Sequence, residues 1–105
     1  MSRSSTTTNP DWLRNSHAGE MLASEFLEPL AMSPEALANA IDTPVEAVRA
    51  VIDGEQPMTA ELDLRLGRYF RMSEGFFLRL QDQYELLEAK RALNGELDRI
   101  QPRAA

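Results

Sequence analysis

Arg49 is the residue of this chain whose side chain is best suited to reading a nucleobase. Its guanidinium presents two parallel N–H donors, which match the O6 and N7 acceptors of guanine in the major groove. It lies in a segment, residues 33–57, that holds five acidic residues and no other Lys or Arg. Gln56 is a second candidate reader, and Glu46 can either accept a hydrogen bond from cytosine or cap its own helix. These residue types predict contact with DNA bases.

Two short helices within residues 33–54 must position these side chains. A Ser-Pro pair at Ser33 is typical of a helix start. Thr43, Pro44 and Glu46 have the spacing of a capping box, with Thr43 as the cap and Pro44 at the first helical position. The second helix is therefore expected to begin at a well-defined residue.

A tight turn joins the two helices and a glycine ends the second one. Asp42 is expected to adopt a left-handed conformation in the turn, and Gly54 is placed to terminate the second helix. Apolar residues recur at helical spacing on the facing sides of the pair, namely Leu37, Ala38, Ile41, Val48 and Val51. Two short helices crossing over a short turn are a helix-turn-helix.

A first helix is expected over residues 18–30, ahead of this pair. His17 or Ser16 caps it, and Pro29 closes it because the residue before a proline resists helical angles. Its apolar residues recur every four positions, at Leu22, Phe26 and Leu30.

A fourth helix is expected after the loop at residues 55–57. Thr59 caps it, it runs to about Arg71, and Glu61 and Arg65 pair on its outer face at i,i+4 spacing. Its expected buried residues are Leu62, Leu66, Tyr69 and Phe70. We find no strand pattern anywhere, so the predicted fold class is all-α with five helices.

The fifth helix is the longest, and it carries more apolar surface than a chain of this length can cover. Ser73 is expected to cap it, and Asn94-Gly95 interrupts it. The excess surface predicts a two-fold dimer, with contacts at Leu80, Tyr84, Leu87, Leu93 and Leu97. Such a dimer would set the distance between two recognition helices on palindromic DNA. The alternative is that the last helix folds back and the chain is monomeric.

Catalysis and cofactor binding find no support in the residue types. His17 is the sole histidine of 105 residues and there is no cysteine, so neither a zinc site nor a nucleophilic triad can be assembled. The carboxylates are spread over helix faces, and there is no glycine-rich phosphate loop. We therefore expect no enzyme, no cofactor and no small-molecule substrate. No apolar run approaches the ~20 residues that cross a bilayer, so a cytoplasmic protein is expected.

The charge distribution works against DNA binding. The chain has a net charge of −6, and the segment that would read DNA is its most acidic part. Affinity for DNA rests largely on Lys and Arg contacts to phosphate, so a helical bundle that never touches DNA remains an alternative. Helix N-terminal N–H groups at Ser33 and Thr59 can bind phosphate without a charged side chain. Arg3 and Arg14 can add an N-terminal arm or lie in a solvated tail.

With these residues in view, the chain resembles the HigA-type antitoxins, a branch of the Xre/Cro-repressor-like helix-turn-helix proteins. The likeness covers residues 17–87 and continues more weakly to residue 103. The matching segments are HAGEML at 17–22, EFLEPL at 25–30, the helix-turn-helix at 33–54, the LRLGRYF segment at 64–70 and SEGFFLRLQ at 73–81. One such segment is weakly specific, but five in order at consistent spacing are strongly specific.

The chain also departs from the family pattern. Ala18 replaces a proline, Phe77 replaces a tryptophan, and Asp42 stands where the family prefers glycine. Family members commonly carry Arg, Asn and Lys at positions that here include Ala47, Asp53 and Glu55. The departures in the recognition helix and the following loop put DNA binding in doubt.

The resemblance implies a lambda-repressor-like DNA-binding domain with the helix-turn-helix at helices two and three. It divides the chain into a poorly ordered tail (1–15), the domain with its C-terminal helix (16–92) and an extension (93–105). The expected DNA contacts are Ser33, Pro44, Val45, Glu46, Arg49, Ala50, Gln56 and Thr59.

The function implied by the resemblance is that of a homodimeric repressor of its own operon. Such a protein also neutralises an mRNA-cleaving RNase toxin of the HigB type, and the acidic surface suits a basic partner. One alternative is a protein-interaction module that keeps the fold but has lost operator binding. Another is a stand-alone Xre-type regulator without a toxin.

Overall fold

Within the residues that the structure describes, the protein is built from five helices, as the sequence predicts. The computed structural model describes residues 15–104, so the tail over 1–14, with Arg3 and Arg14, lies outside the described residues. The elements are α1 (Ala18–Met21), which continues as a π-helix (Leu22–Leu27), then α2 (Pro34–Ala40), α3 (Val45–Ile52), α4 (Ala60–Phe70), α5 (Phe76–Leu93) and a 3-10 turn (Glu96–Arg99). Residues 15–104 contain no strand, and none of their helices is long and apolar enough to cross a membrane.

His17, and not Ser16, caps α1 through a capping box built on an imidazole. Its Nδ1 accepts hydrogen bonds from the backbone N–H groups of Gly19 (3.0 Å) and Glu20 (3.2 Å). In return, Glu20 Oε1 accepts from the His17 N–H at 3.3 Å. The ring also lies edge-on to Tyr84 of α5, with the centroids 5.8 Å apart. The cap therefore ties the start of the domain to its last helix.

The π-helical segment moves the buried face of the first helix away from the predicted one. Its hydrogen bonds span five residues, as from the Glu28 N–H to the Ala23 carbonyl at 2.9 Å. This wider turn brings Leu27, five residues after Leu22, into the core. The helix ends before Leu30, which is 60% exposed, so the four-residue apolar repeat of the sequence does not continue into the core at this position.

The helix-turn-helix is confirmed, as is the conformation of its turn. Ser33 Oγ accepts from the Ala36 N–H at 3.0 Å at the start of α2. Asp42 has a φ of 55° in the turn. Gly54, at φ 80°, ends α3 with both hydrogen bonds of a Schellman motif. Its own N–H donates to the Val51 carbonyl at 3.2 Å, and the N–H of Glu55 donates to the Ala50 carbonyl at 2.8 Å. The apolar residues predicted to join the pair are all buried: Leu37, Ala38, Ile41, Val48 and Val51.

The predicted capping box at the start of α3 is wrong. Pro44 is the N-cap and not the first helical residue, and no side chain caps this helix. Thr43 Oγ1 donates instead to the Ile41 carbonyl at 3.2 Å, which closes the turn between the helices. Glu46 consequently remains exposed and is not used as a cap.

Gly19 lets α1 pack directly onto the backbone of the recognition helix. A Cβ atom at this position would lie 1.8 Å from the Val51 carbonyl oxygen and 2.8 Å from Ile52 Cα. No side chain can be accommodated at such a distance. This close approach holds the C-terminal turn of α3 against the rest of the domain.

Asp63 caps the last helix from a position on α4. Thr59 caps α4 as predicted, accepting from the Leu62 N–H at 3.2 Å. Ser73 does not cap α5, contrary to prediction: its Oγ accepts from Arg79 at 3.2 Å. The carboxylate of Asp63, 1% exposed, accepts from the backbone N–H groups of residues 75, 77 and 78 at 2.7, 2.7 and 3.1 Å. A buried charge is thereby satisfied by N–H donors and by the positive end of the helix dipole.

An aromatic cluster closes the core between the first helix, α4 and α5. The Phe26 ring lies 5.0 Å from Phe70, 5.2 Å from Phe77 and 6.1 Å from Phe76, measured between centroids. Phe77 is fully buried, whereas Tyr69 is 44% exposed, so the prediction that Tyr69 is buried was wrong. Tyr69 lies one residue before Phe70 on α4, and a helix turns neighbouring positions to different faces.

Candidate nucleic-acid interface

The recognition helix α3 exposes one face and buries the other. Val48 and Val51 are buried and Val45 is partly buried against the same core. Glu46 and Arg49, three residues apart, are both exposed. An exposed, firmly packed helix of this kind is what major-groove reading requires.

Arg49 forms an ion pair with Glu35, a contact that the sequence reasoning missed. Glu35 lies in the first turn of α2 and Arg49 in the last turn of α3, so the pair links the two helices of the motif. Both side chains are about half exposed, at 51% for Arg49 and 56% for Glu35. The guanidinium that the sequence predicts to read a base therefore already holds a carboxylate in the free protein. No pattern within one helix could reveal a contact between residues 14 apart.

A hollow of about 330 Å³ between α3 and α4 brings together three of the predicted DNA contacts. Pro44, Gln56 and Thr59 line it. The loop carrying Gln56 is held by the Ala50 carbonyl, which accepts from the Gln56 N–H at 3.1 Å. Among the predicted contacts, Ala50 is thus one that fixes loop geometry through its backbone.

Arg65 also lines this hollow but serves the turn of the motif. Its Nη1 donates to the carbonyls of Ile41 (2.9 Å) and Asp42 (3.2 Å). Its Nε donates to Glu61 at 3.1 Å, which is the predicted i,i+4 pair. Sequence reasoning found that pair but not the carbonyl contacts, which anchor the turn to α4.

Ser33 lies apart from the hollow. Its hydroxyl already accepts from Ala36, and its neighbours in space are Met32, Pro34 and Ile52. The structure thus places Ser33 beside α1 and Glu35, and it places Gln56 and Thr59 beside α4. Arg49 is joined to the first group through Glu35.

The residues predicted to form a dimer interface differ in how much surface they leave free. Leu80 packs against the core, and Tyr84 contacts His17 while its carbonyl accepts from Asn15 at 2.8 Å. Leu87 and Leu93 are partly buried. Large apolar side chains beyond the first half of α5 are more exposed: Leu86 at 61%, Leu97 at 49% and Ile100 at 67%.

The described part of the chain offers no geometry for a metal site. Within residues 15–104, no three His, Cys, Asp or Glu side chains lie close enough to hold a metal ion. The exposed α3 on an all-helical scaffold places the protein in the class of helix-turn-helix regulators.

Comparisons with known proteins identify the family within that class. The Pseudomonas aeruginosa antitoxin HigA with the higBA promoter is 35% identical, has a TM-score of 0.78, and the match covers 87% of this chain and 100% of that one. An addiction module antidote protein of the HigA family from Coxiella burnetii is 32% identical, with a TM-score of 0.78 and coverage of 86% and 99%. Virulence-associated protein I of Dichelobacter nodosus is 34% identical over 70% of this chain and 68% of its own length. No family model matches the sequence.

These relatives show that the chain belongs to the HigA family of helix-turn-helix antitoxins and transcription regulators. It is a family of regulators, not of enzymes.

Proposed function

We propose that this protein binds operator DNA as a homodimer and represses its own operon, with Arg49 as its principal base reader. The observation that carries the proposal is the exposed face of α3 around Arg49, on a fold shared over nearly its whole length with a HigA solved on promoter DNA. The start of α3 also presents backbone N–H groups that no side chain caps. Such groups can donate to phosphate without adding positive charge.

The dimer that this function needs is expected to form through the C-terminal half of α5 and the turn after it. Leu97 supplies apolar surface there, together with the exposed Leu86 and Ile100. Leu80 and Tyr84 would contribute only the part of their side-chain surface that is not already in contact with other residues of the monomer. Two-fold symmetry would place two copies of α3 on the two halves of a palindromic site.

Binding of DNA from upstream of the gene tests the repressor function. Fluorescence anisotropy with that DNA should show sequence-dependent, salt-sensitive binding. Arg49→Ala should weaken binding by about five- to 150-fold, since a bidentate contact to guanine is worth roughly 1–3 kcal/mol. The Glu55→Gln variant is a control, because Glu55 is exposed and forms no ion pair within residues 15–104. Absence of binding at low salt would overturn the proposal.

The second part of the proposed function is neutralisation of a basic RNase toxin. A groove of about 850 Å³ between the first helix and α5 supports it. Three glutamates, Glu20, Glu25 and Glu28, line this groove, and its described lining contains no Lys or Arg. The lining also includes apolar residues such as Ile52 and Leu80. A groove lined by acidic and apolar residues suits a basic protein partner.

Charge reversal in the groove tests toxin binding separately from DNA binding. Glu25→Lys combined with Glu28→Lys should abolish protection of cells that express the proposed toxin. The double variant Glu96→Lys and Asp98→Lys, at the far end of the chain, should still protect. Equal protection by both double variants would argue against the groove as the binding site.

The interaction module without operator binding is favoured by one observation, the ion pair that occupies Arg49. Toxin neutralisation without DNA binding at low salt would establish it. A stand-alone regulator is expected instead if no small basic reading frame of about 90–110 residues lies beside the gene.

A further inference from the structure

Glu35 reaches across the helix-turn-helix to the side chain that would read DNA. Its carboxylate pairs with Arg49 Nη2, although the two residues lie on different helices. The other acidic residues near α3, at positions 46, 53 and 55, form no ion pair within residues 15–104. Glu35 therefore differs from these residues by its contact with Arg49, since all of them carry the same charge.

A carboxylate and a guanine edge compete for the same donors. Each presents two acceptor atoms side by side, and the guanidinium fork of Arg49 matches either one. The ion pair uses Nη2, which is one of the two nitrogens at the outer edge of the guanidinium, so a guanine that binds across this edge competes with Glu35 for Nη2. The displaced carboxylate then lies beside DNA, where the phosphates repel its negative charge.

We propose that Glu35 is a determinant of operator affinity that acts by holding Arg49 in the unbound protein. This inference rests on the proposed function, because it assumes that Arg49 reads DNA. A guanine that takes the Nη2 donor must displace Glu35 from it. Because exposed ion pairs are weak, the effect on the dissociation constant is expected to be about two- to fivefold.

A double-mutant cycle distinguishes this role from general charge repulsion. The wild type, E35Q, R49A and the double variant are titrated with the upstream DNA at low salt, where loss of one arginine leaves measurable binding. E35Q should bind about two- to fivefold more tightly than the wild type. In the R49A background, E35Q should give a clearly smaller gain. E55Q, which removes the same charge without touching Arg49, should give the same gain in both backgrounds.

Two results would overturn the inference while leaving the proposed function intact. An equal gain from E35Q with and without Arg49 would mean that the carboxylate merely repels phosphate. A loss of affinity in E35Q would mean that the pair positions Arg49 for binding and does not compete with DNA. If the wild type bound no upstream DNA, or if R49A bound as tightly as the wild type, the proposed function and this inference would fail together. Thermal unfolding of each variant checks that the fold is retained.

Discussion

Single side chains cap four of the five described helices, all but α3, and these side chains differ in how easily their role can be read from the sequence. Three helices are capped by the residue just before them, namely Ser33, His17 or Thr59. In each case the capping side chain accepts a hydrogen bond from a backbone N–H two or three residues later. Short separations of this kind can be read from sequence. Asp63 caps α5 from 12 to 15 residues away. Its role depends on how α4 and α5 pack, so no local pattern reveals it.

Replacing Asp63 should be among the most destabilising polar substitutions in the chain. Asp63→Ala leaves three backbone N–H groups of α5 without their acceptor, two of them at 2.7 Å in the native structure. Unsatisfied buried donors cost about 1–3 kcal/mol each, so a loss of about 3 kcal/mol in the free energy of unfolding is expected. Urea denaturation measures it.

The control for this prediction is Asp82→Ala, which removes an exposed aspartate from α5 itself. Exposed substitutions of this type usually change stability by less than about 0.5 kcal/mol. If both variants unfolded at the same urea concentration, Asp63 would not be the cap of α5 that the structure indicates.

Helices two to four agree closely with the sequence, whereas the first helix does not. The start of α2, the left-handed Asp42 and the Schellman motif at Gly54 all follow from residue types with well-defined conformational preferences. The π-helical turns follow from none, because Leu22 and Leu27 at a spacing of five fit no α-helical repeat. Likewise, Thr43 and Glu46 have the spacing of a capping box but are not used as one. In the structure, the Thr43 hydroxyl instead donates a hydrogen bond to the Ile41 carbonyl within the turn.

The contact between α1 and α3 should tolerate no side chain at position 19. Gly19→Ala gains up to about 1 kcal/mol in helix propensity, but it places a Cβ 1.8 Å from a carbonyl oxygen of the recognition helix. Backbone must move to relieve such a clash, and overpacking costs about 1–3 kcal/mol or more. We expect a net loss of about 2 kcal/mol in the free energy of unfolding, measured by urea denaturation.

Ser24→Ala serves as the comparison, since Ser24 lies exposed on the π-helical continuation of α1. It should leave the unfolding midpoint nearly unchanged. Were Gly19→Ala to be as stable as this control, the two helices could not be packed backbone to backbone.

At the scale of the whole molecule, the acidic segment and three of the exposed large apolar residues lie in different parts of the chain. The acidic segment 33–57 contains the helix-turn-helix, and the acidic groove lies beside it, lined in part by Ile52. The exposed Leu86, Leu97 and Ile100 lie on the second half of α5 and after it. Sequence reasoning identified an excess of apolar surface but could not separate the residues that the monomer buries, such as Leu80, from those left exposed. Which of these apolar residues are buried depends on where the chain folds back on itself.

Placing a charge at Leu97 should weaken the proposed dimer. Leu97→Glu introduces a carboxylate into an apolar interface, where an unpaired charge is costly. Size-exclusion chromatography with light scattering should show the monomer mass at concentrations where the wild type is dimeric. The matched variant is Leu30→Glu, since Leu30 is 60% exposed on another part of the surface. It should remain dimeric, and a dimer that survived Leu97→Glu unchanged would place the interface elsewhere.

The most direct test of the account is whether Arg49 contacts the N7 atom of an operator guanine. Each guanine of a half-site is replaced in turn by 7-deazaguanine, which lacks that acceptor, and binding is measured for the wild type and for Arg49→Ala. At one guanine, the replacement should weaken wild-type binding by about tenfold and should have no further effect on the variant. If every replacement weakened both proteins equally, or weakened neither, Arg49 would not be the base reader.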